Sequence, residues 1–297
     1  MAVQEFNPNN VMLSEKKDGT FTPQMTNAIM ADVANNSVVM QLGTYEEMNG
    51  QQEKKFQVQT DGISAYWVDE GQKIQTSKPE FVEATMRAKK LGVIILASRE
   101  CLTYTFARFF EEMKPYMAEA LYKKIDEAAI LDKDNPFAFS VEKSATDATH
   151  VVDGALDYAN ILALEDFIYD ANNEVTGFIT NPRNHSLLRT GGVNPDNKLE
   201  TLYDRNSRLI DGLPTVDLKS MDKGTIYAGD WKYMRYGTPY NMTFKISEEG
   251  TLSTIKNSDG SDVNLFEQEL IALRVTMDFA FMTVKDDAFA KLATKEL

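Results

Sequence analysis

Histidine and cysteine, two residue types common in catalytic and metal sites, are scarce in this chain of 297: it contains two histidines, His150 and His185, and one cysteine, Cys101. Neither histidine belongs to a His-Glu-x-x-His zinc motif, and a lone cysteine forms no intramolecular disulfide and no cysteine-rich metal site. In "NPRNHSLLR", His185 precedes Ser186, but adjacent residues on a helix point in different directions, so they are not expected to act as nucleophile and base. A hydrolase built around His185 and nearby carboxylates is kept as the enzymatic alternative.

Motifs for phosphate, nucleotide or calcium binding are also missing from the sequence. It contains no Gly-x-Ser-x-Gly elbow, no Gly-x-Gly-x-x-Gly fingerprint and no Walker-type loop. The segments "DKDNPF" and "NSDGSDVN" place oxygen atoms at alternating positions, yet neither completes a calcium-binding loop with its central glycine and terminal glutamate. The sequence therefore predicts no catalytic residue, no cofactor-binding residue and no metal site.

The charge and the hydrophobic pattern narrow the class of protein. A net charge of -14 disfavours tight binding of nucleic acid, which depends on clustered lysine and arginine. No apolar stretch approaches the length of a membrane span, and the start of the sequence lacks a signal-peptide pattern, so synthesis in a cytosol is expected. The chain length predicts one large domain or two smaller ones.

Residues 51–90 read as a projecting ribbon. Val82, Ala84, Met86 and Ala88 alternate with polar residues, which is the pattern of a strand with one covered face, and "KKFQVQT" and "AYWVDE" are its predicted partner strands. Residues 53–90 hold seven Lys or Arg and six Asp or Glu, a net charge of +1 in an acidic protein. Because an isolated ribbon is marginally stable in water, this one is expected to need a surface outside itself.

The remaining elements follow from hydrophobic periodicity. Apolar residues at three- and four-residue spacing predict a long amphipathic helix over 106–131, and strict alternation predicts a long strand at "IALRVTMDFAF". "LGVIILA" is predicted as a strand buried on both faces, "SVVMQLG" as a short strand and "DDAFAKLATKEL" as a terminal helix. Residues 158–263 are predicted to form a compact α+β unit inserted between segments of one domain.

This ordered set of segments resembles the major capsid proteins of tailed bacteriophages, the family with the Hong Kong 97 fold. It is most similar to capsid proteins of phages that infect low-GC Gram-positive hosts. The resemblance covers nearly the whole chain and is carried by "ISAYWVDEGQKI", "AKKLGVIILASRE", "FITNPRNHSLLR", "IDGLPTV", "AGDW" and "LIALRVTMDFAFMTVKDDAFAKL".

The resemblance implies an α+β fold whose parts have defined roles. The ribbon would be the extended β-hairpin called the E-loop, and the long helix would be the spine helix of a peripheral domain. The implied boundaries are an N-terminal arm at 1–37, a peripheral domain at 38–50, 91–157 and 264–297 with its spine helix at 106–131, an E-loop at 51–90 and an axial α/β domain at 158–263.

The implied function is structural and not enzymatic. The chain would self-assemble, as hexamers and pentamers, into the icosahedral shell that encloses phage double-stranded DNA, after synthesis in the host bacterial cytoplasm. Its expected partners are further copies of itself, a portal protein, DNA held without sequence-specific contacts and no membrane. Members of the family that scaffold themselves carry a long helical N-terminal region, whereas fifty residues at most precede the ribbon here. Either that region has been removed or a separate scaffolding protein directs assembly, and Met1 favours the scaffolding protein. The alternative with the same fold is an encapsulin-like nanocompartment shell.

Inter-subunit contacts are expected on the ribbon, since an E-loop lies across the neighbouring subunit in that family. Aromatic side chains make effective anchors in such contacts. The candidate contact residues are Tyr66, Trp67, Lys73, Phe81 and Arg87.

Overall fold

The computed structural model of the protein describes residues 23–59, 67–68, 70, 73, 81–256 and 261–294. Within these residues helices and strands are mixed, which confirms the predicted combination of α and β structure. The chain divides into two compact units. The first unit is Met1–Gln41, Lys90–Asp126 and Tyr240–Phe279, and the second is Leu42–Lys89, Glu127–Pro239 and Ala280–Leu297.

The helices and strands are numbered in chain order. The helices are α1 (Pro23–Asn36), α2 (Val38–Leu42), α3 (Arg99–Leu131), α4 (Val141–Asp147), α5 (Tyr158–Asp170) and α6 (His185–Gly191), with 3-10 turns at Pro182–Asn184, Trp231–Tyr233 and Asp286–Ala288. The strands are β1 (Thr44–Tyr45), β2 (Glu53–Gln59), β3 (Phe81–Ser98), β4 (Val151–Asp153), β5 (Gly177–Thr180), β6 (Tyr203–Asp204), β7 (Leu209–Ile210), β8 (Leu213–Asp217), β9 (Thr225–Gly229), β10 (Met234–Gly237), β11 (Thr243–Ser247), β12 (Thr251–Lys256), β13 (Asp262–Asn264), β14 (Leu270–Thr283) and β15 (Phe289–Ala293).

The segment "SVVMQLG" forms helix α2, so its prediction as a strand is wrong. The first N–H groups of a helix have no partner within the helix. Here the side chain of Asp126, which is 1% exposed, accepts hydrogen bonds from the N–H groups of Val38 and Val39 at 3.0 and 3.1 Å. A capping carboxylate so far along the chain is invisible to local periodicity.

Helix α3 has 33 residues and contains Pro115. It ends at Leu131 as predicted, but it begins at Arg99 and not at 106. Residues 99–105 contain neither glycine nor proline, so nothing in that stretch stops the helix from reaching the end of β3. At 1.5 Å per residue, a helix of this length spans about 50 Å.

Strands β3 and β14 confirm two predictions of extended structure. β3 runs without interruption through the ribbon strand and "LGVIILA". The prediction that "LGVIILA" is buried on both faces is wrong, because none of its residues is fully buried within this chain and Ile94 is 47% exposed. In β14 the alternating residues predicted to face the core are buried: Ile271, Leu273, Val275, Met277, Phe279 and Phe281.

Within the described ranges the strands form two large sheets and one hairpin. The first sheet has the order β1-β10-β14-β3-β2, with β11 also paired to β14, and its pairs include Phe244 opposite Val275. The second has the order β4-β15-β9-β5-β8-β7-β6 and lies in the second unit. β12 and β13 pair with each other.

The second sheet contains the C-terminal segment, so the prediction of a terminal helix there is wrong. β15 pairs in parallel with β4 and antiparallel with β9. A short apolar run that is buried on both faces fits a helix and a strand equally well, and here the two flanking strands decide its conformation. Helix α5 packs against this sheet, with Ile161, Leu164 and Ile168 fully buried.

No helix among the described residues is long and apolar enough to cross a membrane.

Candidate assembly surface

The base of the ribbon is a two-stranded antiparallel segment of β2 and β3. Lys54 lies opposite Met86, and Phe56 lies opposite Ala84. Residues directly opposite each other project to the same face of a sheet. One face of the base therefore carries Phe56, Ala84 and Met86, and the other carries charged side chains.

The apolar face of the base is anchored in the core of its own unit. Met86 is fully buried and belongs to a cluster with Met48, Ala280 and Met282. The expectation that the ribbon needs a covering surface outside itself is thus met, at the base, by the same chain. Burial of a methionine side chain stabilises a fold by about 1.5–3 kcal/mol, so the base is held firmly.

Cations surround Phe56 on this face. The Nζ atom of Lys54 lies 5.1 Å from the centre of the Phe56 ring, and the Cζ atom of Arg235 lies 5.3 Å from it. Lys54 also forms an ion pair with Glu46 at 3.0 Å. Both cations lie within the distance at which an aromatic ring attracts positive charge, so they stabilise the position of the ring.

The polar face of the base carries cross-strand ion pairs. Arg87 pairs with Glu53 at 3.0 Å, and Lys55 pairs with Glu83 at 3.3 Å. All four side chains are more than half exposed, and pairs of this kind contribute about 0–1 kcal/mol each. They set the register and charge of the surface more than its stability.

A groove of about 280 Å³ lies in the second unit beside this polar face. Thr85, Arg87 and Lys89 of β3 line one side, and residues 136–139 with Phe281 line the other. The ring centres of Phe137 and Phe281 are 5.9 Å apart. We call this cavity the ribbon groove; it combines an aromatic floor with a basic wall.

The predicted contact residues differ in how much of them the structure describes. Trp67 and Lys73 are exposed, and Arg87 lies at the ribbon groove. Phe81 is the first residue of β3, but its side chain lies outside the described part, as does the whole of Tyr66. Their roles in contacts between subunits stay predictions.

Sequence reasoning missed the residues that shape the ribbon groove. Lys89, Phe137 and Phe281 come from three separate parts of the chain, and only folding brings them together. The segment "PFAF" after the long helix, with an aromatic residue at every second position, was the one local signal that could have indicated this surface.

The side chain of His185 links helix α6 to strands β8 and β6 by hydrogen bonds. Its Nε2 atom lies 2.8 Å from a carboxylate oxygen of Asp217, and the Tyr203 hydroxyl lies 2.9 Å from its Nδ1 atom. The Ser186 hydroxyl donates to the carbonyl of Arg183 at 3.3 Å. The Ser186 hydroxyl therefore bonds to Arg183 and not to His185, so the structure shows no nucleophile–base pair between these two residues.

One buried carboxyl group lies on α5. Glu165 is 4% exposed, and its Oε1 atom has no hydrogen-bond partner among the described residues. Burial, followed by the charge of Asp211 and a hydrogen bond with it, raises the pKa of Glu165 to about 7. Among the described residues, no group of three or more His, Cys, Asp or Glu side chains could hold a metal ion.

The sequence of the chain matches one protein family over nearly its full length. Residues 18–294 match the family described as the phage capsid family. The chain belongs to the phage capsid family. The resemblance found in the sequence is thereby confirmed.

Individual phage capsid proteins show how close the relationship is. The major capsid protein of Staphylococcus phage 80alpha is 50% identical over 292 residues, which cover 97% of this chain and 89% of that protein. This relative comes from a phage of a low-GC Gram-positive host, as expected. The chain is therefore a phage major capsid protein, and its location is the virion.

Solved structures support the fold of this capsid protein. A chain from Microbacterium phage Oxtober96 superposes with a TM-score of 0.72 at 18% identity, covering 99% of this chain and 96% of that chain. A chain from the capsid of an empty GTA particle gives a TM-score of 0.63 at 13% identity, with coverage of 99% and 96%. At such identities these matches show the fold alone.

Proposed function

We propose that this phage capsid protein adopts the Hong Kong 97 fold and self-assembles into an icosahedral shell of hexamers and pentamers that encloses phage double-stranded DNA. The observation that carries the proposal is the 50% identity with a major capsid protein across 97% of the chain. Relatives this similar over nearly their whole length usually share their architecture and manner of assembly.

The parts of the chain take the roles that the fold assigns to them. Residues 1–37 form an N-terminal arm, residues 51–90 form the E-loop and residues 158–263 form the axial domain. The remaining segments, 38–50, 91–157 and 264–297, form the peripheral domain around the spine helix. The long helix α3 and the paired strands β2 and β3 are consistent with this division.

The base of the ribbon packs in the core of its own subunit, and its distal part binds a neighbouring subunit. Its base is held by buried Met86, whereas Trp67 is fully exposed. An exposed tryptophan on an anchored arm fits an anchor residue that becomes buried against a neighbouring subunit. Tyr66, Lys73, Phe81 and Arg87 complete the proposed contact.

Catalysis has no part in this function. The shell operates through contact area, shape and charge, and the Ser186 hydroxyl bonds to Arg183 and not to His185. The net charge of -14 suits a container whose DNA is not bound tightly at its surface. A scaffolding protein and a portal protein are the proposed partners during assembly.

Electron microscopy of the protein, expressed alone and then with the neighbouring phage genes, tests the proposal. Closed icosahedral particles that need the co-expressed genes support a phage capsid. Closed particles formed by the chain alone, with an enzyme as cargo, would instead support an encapsulin-like nanocompartment. A chain that stays monomeric under both conditions contradicts the proposal.

A further inference from the structure

The ribbon groove has the size of a receptor for a single side chain. Its volume of about 280 Å³ is below the range of about 300–1,000 Å³ that pockets for small molecules occupy. The rings of Phe137 and Phe281, 5.9 Å apart, offer an apolar floor. One aromatic side chain would gain buried apolar area there.

The positive charge of the groove indicates which residues should neighbour the inserted aromatic side chain in the binding partner. Arg87 is paired with Glu53, whereas Lys89 has no ion pair within the part of the chain that the structure describes. An uncompensated cation at the edge of an apolar cavity favours a partner that carries carboxylates beside its apolar group. The groove therefore fits an acidic segment with a projecting aromatic ring.

Such a segment lies in the turn between β13 and β14, residues 264–270, which we call the acidic turn. Phe266 is 75% exposed, and the two glutamates that follow it, Glu267 and Glu269, are also exposed. No ion pair involves either glutamate within the described residues. The acidic turn thus presents one aromatic ring and two carboxylates together.

The acidic turn is held in shape before any contact is made. The N–H group of Phe266 donates to the side-chain oxygen of Asn264 at 3.1 Å. The N–H group of Leu270 donates to the carbonyl of Leu265 at 2.9 Å, and Leu265 is 2% exposed. A preorganised turn loses little conformational entropy when it binds, so it suits a protein contact.

We propose that Phe266 of one copy inserts into the ribbon groove of a second copy, where Glu267 and Glu269 pair with Lys89 and Arg87. The occupant is a second copy because a capsid protein oligomerises with itself, and the inference in this respect rests on the proposed function. The contact would join the β13–β14 turn of one subunit to the base of the ribbon of the next.

The exposed side chain of Leu199, in the loop before β6, fits the groove less well than Phe266. Leu199 is 95% exposed, but it follows Lys198, whose charge would repel the basic wall. Glu200 is already engaged, since it accepts hydrogen bonds from Tyr158 at 2.8 Å and from Asn194 at 2.9 Å. The carboxylate next to Leu199 is therefore already engaged, and this loop serves as a control.

Site-directed cross-linking between two tagged copies tests the inference. In a Cys101→Ser background, one copy carries Ala138→Cys in the groove and the other carries Phe266→Cys. The copies are co-expressed with the other phage structural genes, closed particles are verified by electron microscopy and a short bismaleimide is added. The expected result is a heterodimer that combines both tags.

A control pair makes the outcome specific. Leu199→Cys combined with Ala138→Cys is expected to give no heterodimer. Closed particles without the 138–266 product would overturn the inference while leaving the proposed function intact, and a product from Leu199 would assign the groove to a different occupant. If Phe266→Cys prevents closure, Glu267→Cys places the thiol next to an intact Phe266.

A charge exchange tests the ion pairs separately. Glu267→Lys in one copy should remove most of the cross-linked product, and Lys89→Glu in the other copy should restore it. Loss without restoration would contradict pairing between these two positions. If neither substitution changes the yield, the basic wall has no part in the contact.

Discussion

The hydroxyl group of Ser37 donates a 2.7 Å hydrogen bond to Oδ1 of Asp126, a residue that follows it by 89 positions. The same carboxylate accepts the N–H groups of Val38 and Val39. One buried side chain of α3 therefore satisfies three donors at the start of α2. A helix of five residues is too short to be stable alone, so this cap, together with the burial of Val38 and Val39, stabilises it.

Replacing Asp126 by alanine should destabilise the unassembled subunit by about 2 kcal/mol. The substitution removes a cap and leaves buried donors without a partner. Urea unfolding followed by circular dichroism measures the change. Glu119→Ala, on an exposed position of the same helix, is the matched control and should cost far less. Equal stability of the two variants would contradict the capping role.

An element could be predicted from the sequence where residues close to it along the chain determine its conformation. In β14, apolar residues such as Val275 and Phe279 occur at every second position. This alternation indicates a strand with one buried face, and the burial of these residues was predicted correctly. Helix α2 and strand β15 were predicted wrongly, because Asp126 and the strands β4 and β9 decide them from far along the chain.

In the candidate surface, too, some residues could be predicted from the local sequence and others could not. Arg87 could be named from the ribbon sequence because its charge alternates with apolar neighbours. Phe137 and Phe281 could not, since each looks like an ordinary core residue until folding places both beside β3. The acidic turn escaped notice for another reason: Phe266 was expected in no element, and its exposure is a property of the folded chain alone.

Substitution of Met86 tests how firmly the ribbon is anchored. Met86→Ala should lower the free energy of unfolding by about 2–5 kcal/mol, because a fully buried side chain leaves a cavity. Thr85→Ala, its partly buried neighbour on the opposite face, is the control and should cost much less. A small effect of Met86→Ala in chemical denaturation would mean that the base of the ribbon is not part of the core.

The buried carboxyl group of Glu165 should make stability depend on pH. Its pKa is raised from 4.5 to about 7, so between these values the folded chain holds a proton that the unfolded chain releases. The resulting stabilisation is present in full below about pH 4.5 and is lost as the pH rises through about 7, at no more than about 1.4 kcal/mol per pH unit.

Glu165→Gln isolates this contribution. The variant cannot release the proton, so its free energy of unfolding should decline less between pH 5 and pH 8 than that of the original chain, with values taken from urea titrations. Asp170→Asn, at an exposed position of the same helix, should keep the original slope. Parallel pH profiles for the original chain and Glu165→Gln would show that Glu165 is ionised in the folded protein.

His185 offers a test that separates a structural role from a catalytic one. His185→Ala removes a hydrogen-bond partner of both Tyr203 and Asp217, so a loss of about 1–3 kcal/mol in unfolding free energy is expected. Closed particles should still form at permissive temperature, because the residue lies outside the proposed contacts. A hydrolytic activity that the substitution abolishes would revive the enzymatic alternative.

Trp67 distinguishes assembly from folding most directly. Because its side chain is fully exposed, Trp67→Ala should leave the unfolding free energy of the subunit within about 0.5 kcal/mol of the original value. The yield of closed particles, counted by electron microscopy after co-expression with the neighbouring phage genes, should fall sharply, since an aromatic anchor between subunits is lost. Tyr116→Ala, which removes a 64% exposed ring from α3, is the matched control and should affect neither quantity. A Trp67→Ala subunit that fails to fold would place the residue in the core of its own chain, and an unchanged particle yield would remove it from the contact between subunits.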